Sequence, residues 1–141
     1  MKTTLDWQGK MAFKGENPSG HEVTMDAAPE VGGENTGPRP MELLLQSVAG
    51  CTAIDIVSIL TKMRMKPTSF TTEVEGERAE DHPRKFTKLH IHYILEGDLD
   101  ESKVVRAIKL SKDQYCSVSH TLSAEITASY TLNGVKGKEN V

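Results

Sequence analysis

Apolar and polar residues alternate in three short runs at the start of the chain. In residues 2–8, 10–16 and 21–26, within "TTLDWQG", "KMAFKG" and "HEVTMDAA", apolar side chains recur at every second position. A period of two predicts half-buried strands. The turn formers of "GENPSGHE" separate the second run from the third. "PEVGGENTGPRP" then shows no periodicity and is rich in Gly and Pro, so it predicts a loop.

From Met41 to about Met65 the pattern turns helical and is apolar around most of the circumference, as in a core helix. Pro40 suits the first turn, and Pro67 disfavours helical geometry at Lys66. "TSFTTEVEGERAE" and "KFTKLHIHYILEG" predict two long strands forming a hairpin across "AEDHPRK". "DESKVVRAIKLSKDQY" is an amphipathic helix with Val104, Val105, Ile108 and Leu110 on one side and Asp100 as N-cap. "CSVSHTLS" predicts a short turn or helix, "AEITASYTL" a closing strand and "NGVKGKENV" a polar tail. The predicted order is βββ-α-ββ-α-β, an α+β fold with a long central buried helix between sheets. A helix apolar nearly all round is hard to bury within 141 residues, which points to a homodimer.

That length sets a single domain over 1–141. A formal net charge of −3 and the lack of a Lys/Arg block argue against nucleic acid and against an electrostatic membrane anchor. The apolar run after Leu43 is broken by Asp55 and Lys62, so a buried helix is a better reading than a membrane span. The first residues show no apolar signal core, and the chain is expected to be cytoplasmic. In that compartment two cysteines are not a disulfide framework; they are two inert thiols or a functional redox pair.

On the long helix Ser47, Cys51, Asp55, Ser58 and Lys62 fall at i, i+4, i+8, i+11 and i+15, on one face. Cys51 therefore lies in a narrow polar stripe, which marks either a cleft or tight helix packing. A nucleophilic cysteine must be a thiolate, and a mid-helix position gives no help from a helix N-terminus. Arg39 is the nearest cation in sequence, with a solvated surface charge as its alternative reading, and Asp55 by itself raises the thiol pKa. Cys116 sits where one helix ends and a turn begins, with His120 four residues on. Such a pair can be nucleophile and base, although the spacing alone is weak. His90 and His92 point the same way on their strand. An H-x-H can ligate zinc but needs a third ligand that spacing does not supply, so a solvent-facing role is preferred, as it is for Glu73, Glu75 and Glu77.

"PMELLLQSVAGCTAIDIVSIL", followed 65 residues after its cysteine by "YCSVSHTL", resembles the family of osmotically inducible protein C and the organic hydroperoxide resistance proteins, in particular its YhfA-like branch. "GHEVTMD" and "ERAEDHPRKFTKLHIHYILEG" extend the resemblance over roughly residues 2–132. It implies an intertwined homodimer with active sites at the subunit interface. It also implies a thiol-dependent peroxidase acting on organic hydroperoxides. Cys51 would be the peroxidatic residue and Cys116 the one that resolves its sulfenic acid as a disulfide. A dithiol reductant, lipoyl-type in some members, would restore the thiols, with no metal or organic cofactor. The hydroperoxide-resistance members carry a glutamate ten residues before the peroxidatic cysteine, paired with an activating arginine. Here Met41 stands at that place and the acid is Glu42. Nine helical steps put Glu42 about 180° around the helix from Cys51, as a first-turn acid favoured by the helix dipole. Two alternatives stay open: a slow redox-sensing or small-molecule-binding dimer of the same fold, and a chain whose cysteines only pack.

Overall fold

A computed structural model describes residues 1–138, 140 and 141. The chain divides into two compact units, residues 1–44 and 45–141.

In the first unit the alternating runs form an antiparallel meander of β1 (Thr4–Trp7), β2 (Phe13–Glu16) and β3 (Glu22–Met25). The register pairs Trp7 with Phe13 and Phe13 with Met25. The strands are shorter than the sequence periods because their connections take residues with positive φ, at Gly9, Lys10 and Gly20. Leu5, Trp7 and Phe13 are exposed. The loop after β3 carries a one-turn 3-10 helix at Pro29–Val31 and gathers donors round the Asp26 carboxylate. Asp26, buried, accepts hydrogen bonds from the Thr36 hydroxyl (2.7 Å) and from the Ala27, Glu34 and Thr36 amides (2.7, 3.2 and 3.1 Å). These donors, the Thr36 hydroxyl foremost, hold its pKa down to about 2 despite burial.

The sign follows from linkage. A depressed folded pKa contributes stability above the ordinary carboxylate range that is lost as pH falls towards 2. Amide hydrogen exchange at Glu34 and Thr36 is therefore expected to stay slow from neutral pH to about pH 4 and to lose protection near pH 2. Asp26→Asn should remove that protection at every pH. Equal protection in the variant would show that the carboxylate does not hold the loop.

Helix α1 runs Pro40–Lys62. Its end comes three residues before the sequence reading because Arg64 turns left-handed (φ 61°). The Met65 amide then reaches back to the Leu60 carbonyl (2.9 Å) and the Arg64 amide to that of Thr61 (3.0 Å). This is a Schellman closure with arginine at the position glycine usually takes, and it acts ahead of Pro67. By length and composition α1 could cross a membrane, as the core helix of a soluble protein also could. It buries one stripe, Val48, Thr52, Ile56 and Leu60, while Ile54 is 71% and Val57 42% exposed.

In the second unit β4 (Ser69–Arg78) and β5 (Phe86–Glu96) form the predicted hairpin, pairing Glu75 with His90 and Glu73 with His92. β6 (Glu125–Leu132) lies parallel to β5, so the chain between them must cross over the sheet. It does so through α2 (Glu101–Leu110), a wide π turn (Ser111–Tyr115) and the short α3 (Ser117–Thr121). Asp100 caps α2 by accepting from the Lys103 amide at 3.3 Å. Leu89, Ile91, Tyr93 and Leu95 of β5 are buried on one face, as are Ala128 and Tyr130 of β6 and Val104, Ala107 and Ile108 of α2. Each such large apolar side chain contributes about 1.5–3 kcal/mol.

The tail is less free than its composition suggests. Asn133 and Gly134, both with positive φ, turn the chain into β7 (Val135–Lys136), giving the sheet order β4-β5-β6-β7. Val141 is buried, its amide bonded to the Ala128 carbonyl at 2.9 Å.

Candidate active site

The two cysteines, 65 residues apart, come together in the second unit. Cys51 projects from the middle of α1, half-buried, and Cys116 is fully buried at the junction of the π turn and α3. Both thiols are free, and their sulfurs and a carboxylate oxygen of Asp55 all lie within 4.8 Å of one another. The i, i+4 spacing on α1 puts Cys51 and Asp55 on one face. The π turn supplies the third group. Its closing bond runs from the Cys116 amide to the Ser111 carbonyl (2.9 Å). Cys116 takes extended backbone and becomes the N-cap of α3.

Backbone N–H groups face both sulfurs. The Ser119 amide donates to Cys116 Sγ at 3.3 Å, so the start of α3 meets this thiol. The Val118 amide faces Cys51. The Ser111 hydroxyl, buried beneath them, donates to Asp55 Oδ2 (2.9 Å). Tyr93, also fully buried, has its hydroxyl in the field of Cys116, Asp55 and Cys51, with Thr52 as its nearest polar side chain and no well-formed hydrogen bond among the described residues. Thr52 directs its own hydroxyl to the Val48 and Ala49 carbonyls (3.1 and 3.2 Å).

Burial pushes the Cys51 thiol above its usual pKa, and the neighbouring Cys116 thiol and the Asp55 carboxylate push the same way; the Val118 amide only partly opposes them. At neutral pH Cys51 is therefore a poorer thiolate than a free cysteine. Asp55→Asn removes one of the raising causes. The expected result is modestly faster alkylation of Cys51 at pH 7, with the pH profile displaced to lower pH, since Asp55 is the smallest of the raising causes. Superimposable profiles would remove Asp55 from the thiol's electrostatics.

The other candidates are placed as follows. Arg39 and Glu42 belong to residues 1–44. The Glu42 carboxylate accepts the Arg39 amide at 2.8 Å, as an acid in the first turn of α1 does when it caps the helix. Arg39 Nη1 donates to Asn35 Oδ1 (2.7 Å) and the Gly37 carbonyl (3.1 Å), both neutral. His120 is not directed at a sulfur: Nδ1 lies 2.8 Å from the Cys116 carbonyl and Nε2 3.0 Å from that of Asp113. His90 and His92 are half-buried and engaged with β6. Their nitrogens meet the hydroxyls of Thr127 (2.7 Å), Ser129 (2.7 Å from each ring) and Thr131 (2.9 Å).

The sequence reading gave no site role to Ser111 or Tyr93. A signal existed for each. Ser111 continues the apolar spacing Val104, Ala107, Ile108, which places a hydroxyl on a core face. Tyr93 shares the inward parity of Leu89, Ile91 and Leu95.

Comparisons with known proteins identify the family and the fold. The family model described as OsmC-like protein matches residues 33–131. Protein YhfA of Escherichia coli K12 is 40% identical over 136 residues, covering 92% of this chain and 96% of the relative. The solved structure of a hypothetical protein from Aquifex aeolicus VF5 is 30% identical, with a TM-score of 0.82 over 93% of this chain and 94% of that one. An organic hydroperoxide resistance protein OsmC from Legionella pneumophila shares the fold at 14% identity, with a TM-score of 0.63 over 93% and 94% of the two chains. The match to the family model and the identity to YhfA over most of both chains carry one conclusion: this chain belongs to the OsmC-like family.

Proposed function

We propose that the protein is a thiol-dependent peroxidase that reduces organic hydroperoxides. The observation that supports the reading most is the meeting of two free thiols from distant elements, Cys51 and Cys116, with Cys51 the more accessible. The Cys51 thiolate attacks one peroxide oxygen. An S–O bond forms as the O–O bond breaks, and the leaving alkoxide takes a proton to become the alcohol. Cys116 then attacks the Cys51 sulfenic acid, the S–S bond forms and water leaves. Two thiols and one hydroperoxide thus give one disulfide, one alcohol and one water. A dithiol reductant reverses the disulfide by exchange, lipoyl-type dithiols being the class to test first.

The step needs a cation near Cys51 to offset burial and Asp55. Arg39 is the candidate by its place in the sequence, and its side chain donates to two neutral groups, Asn35 Oδ1 and the Gly37 carbonyl. The working form is a homodimer with the sites at the subunit interface. Its support is the family and the exposed apolar residues Trp7 (66%), Ile54 and Val57.

The raised Cys51 thiol favours a second reading, a slow redox sensor of the same fold. The rate of thiol loss after mixing with an organic hydroperoxide separates the two. A rate far above that of a free thiol supports the peroxidase, and one comparable with a free thiol supports the sensor.

A further inference from the structure

The cluster that would carry the redox chemistry is also a set of metal donors. Two cysteine sulfurs and a carboxylate oxygen lie within 4.8 Å of one another. A tetrahedral zinc ion with Zn–S bonds of about 2.3 Å and a Zn–O bond of about 2.0–2.2 Å holds its ligand atoms roughly 3.5–3.8 Å apart. Closing that difference takes movements of roughly 1 Å at the ligand atoms.

We propose that the reduced protein binds one thiophilic divalent cation per chain, zinc in the first instance, through Cys51, Cys116 and Asp55, with a fourth position open. Three features beyond proximity carry the assignment. First, the donor set is selective: two thiolates with one carboxylate suit zinc or cadmium and disfavour magnesium and calcium, which take oxygen ligands. Second, the outer groups of a metal site are in place. Ser111 orients the Asp55 carboxylate through its 2.9 Å bond, and the Ser119 amide fixes Cys116 Sγ at 3.3 Å. Third, the cluster holds three groups that become anions and, among the described residues, no lysine or arginine pairs with Asp55. A divalent cation supplies the charge that the protein leaves out. The buried Tyr93 hydroxyl lies near Thr52 and in the field of the same three groups. Cys51 and Asp55, both half-buried, provide the entry side.

On binding, the two thiols release their protons to solvent and both sulfurs become ligands. A consequence rests on the peroxidase reading: the bound ion and the hydroperoxide compete for the same sulfur lone pairs. Oxidation of the two sulfurs to a disulfide by the hydroperoxide removes both ligands and frees the ion.

The test titrates reduced, metal-free protein with Zn²⁺ against a chromophoric chelator, and with Cd²⁺ while the thiolate-to-metal charge-transfer band is followed in the ultraviolet. The expected result is saturation at one ion per chain. Asp55→Asn should weaken binding at least about tenfold, judging by what outer-shell changes alone cost. Cys51→Ser or Cys116→Ser should diminish the band and weaken binding further, and the disulfide form should not bind. Thermal unfolding of each variant verifies the fold, and Asp55→Asn, at a half-buried position, serves if Cys116→Ser does not fold. Absence of the band, or binding as tight in Asp55→Asn as in the parent, would overturn the proposal. The two readings fail separately. A protein that binds zinc but keeps its thiols under peroxide sinks the peroxidase alone, and one that reacts with peroxide but shows no band sinks the metal site alone.

Discussion

Cys51→Ser is expected to reduce hydroperoxide consumption to the background rate of the peroxide and reductant without protein. A serine hydroxyl at this position is not a nucleophile towards an O–O bond and cannot form a sulfenic acid. Cys116→Ser is expected to behave differently. Cys51 still reacts once, but no thiol lies close enough to resolve it, so excess peroxide carries it on to the sulfinic acid and turnover stops. The two variants therefore separate by product rather than by rate alone. Initial rates with a dithiol reductant, followed by intact-mass measurement, check both. Consumption by Cys51→Ser at the parent rate would assign the chemistry elsewhere.

Ile91→Ala carries the largest expected stability effect. Ile91 is fully buried in β5, with β4 on one side and β6 on the other, paired with Val74 and Ala128. Truncation removes buried apolar area and leaves a cavity that paired strands cannot close, at a cost of about 2–5 kcal/mol. That is a large share of the roughly 5–15 kcal/mol by which domains are stable. For a chain of this size the melting temperature should fall by roughly 5–20 °C. Thr71→Ala, at an exposed position of β4, should change stability by no more than about 0.5 kcal/mol. Similar melting temperatures for the two variants would mean that this sheet face is not the core.

The β4–β5 hairpin was readable because ten- and eleven-residue strands repeat their period often enough to fix both existence and parity. Asp100 was readable as a cap because its chemistry is local. The end of α1 was not, since nothing in "TKMRMKP" announces that Arg64 takes a left-handed conformation usually left to glycine. β7 was overlooked although "NG" is a strong hairpin signal, because the residues around it read as a polar tail. At the site, helical spacing put Cys51 and Asp55 on one face, but it had no means of adding Ser111 or Tyr93. Those residues reach the cluster only through the parallel β5–β6 crossover and the packing of α1, which are long-range outcomes. The same limit applies to His120, whose i+4 spacing from Cys116 suggested a base and whose ring instead meets two carbonyls.

The central claim is that Cys51 and Cys116 act as one redox pair. Its most direct test is the intact mass and free-thiol count of the reduced protein after one equivalent of an organic hydroperoxide. The account predicts a mass lower by two hydrogens, with both thiols blocked in the same chain and restored by a dithiol. Two free thiols after exposure to excess hydroperoxide would contradict it.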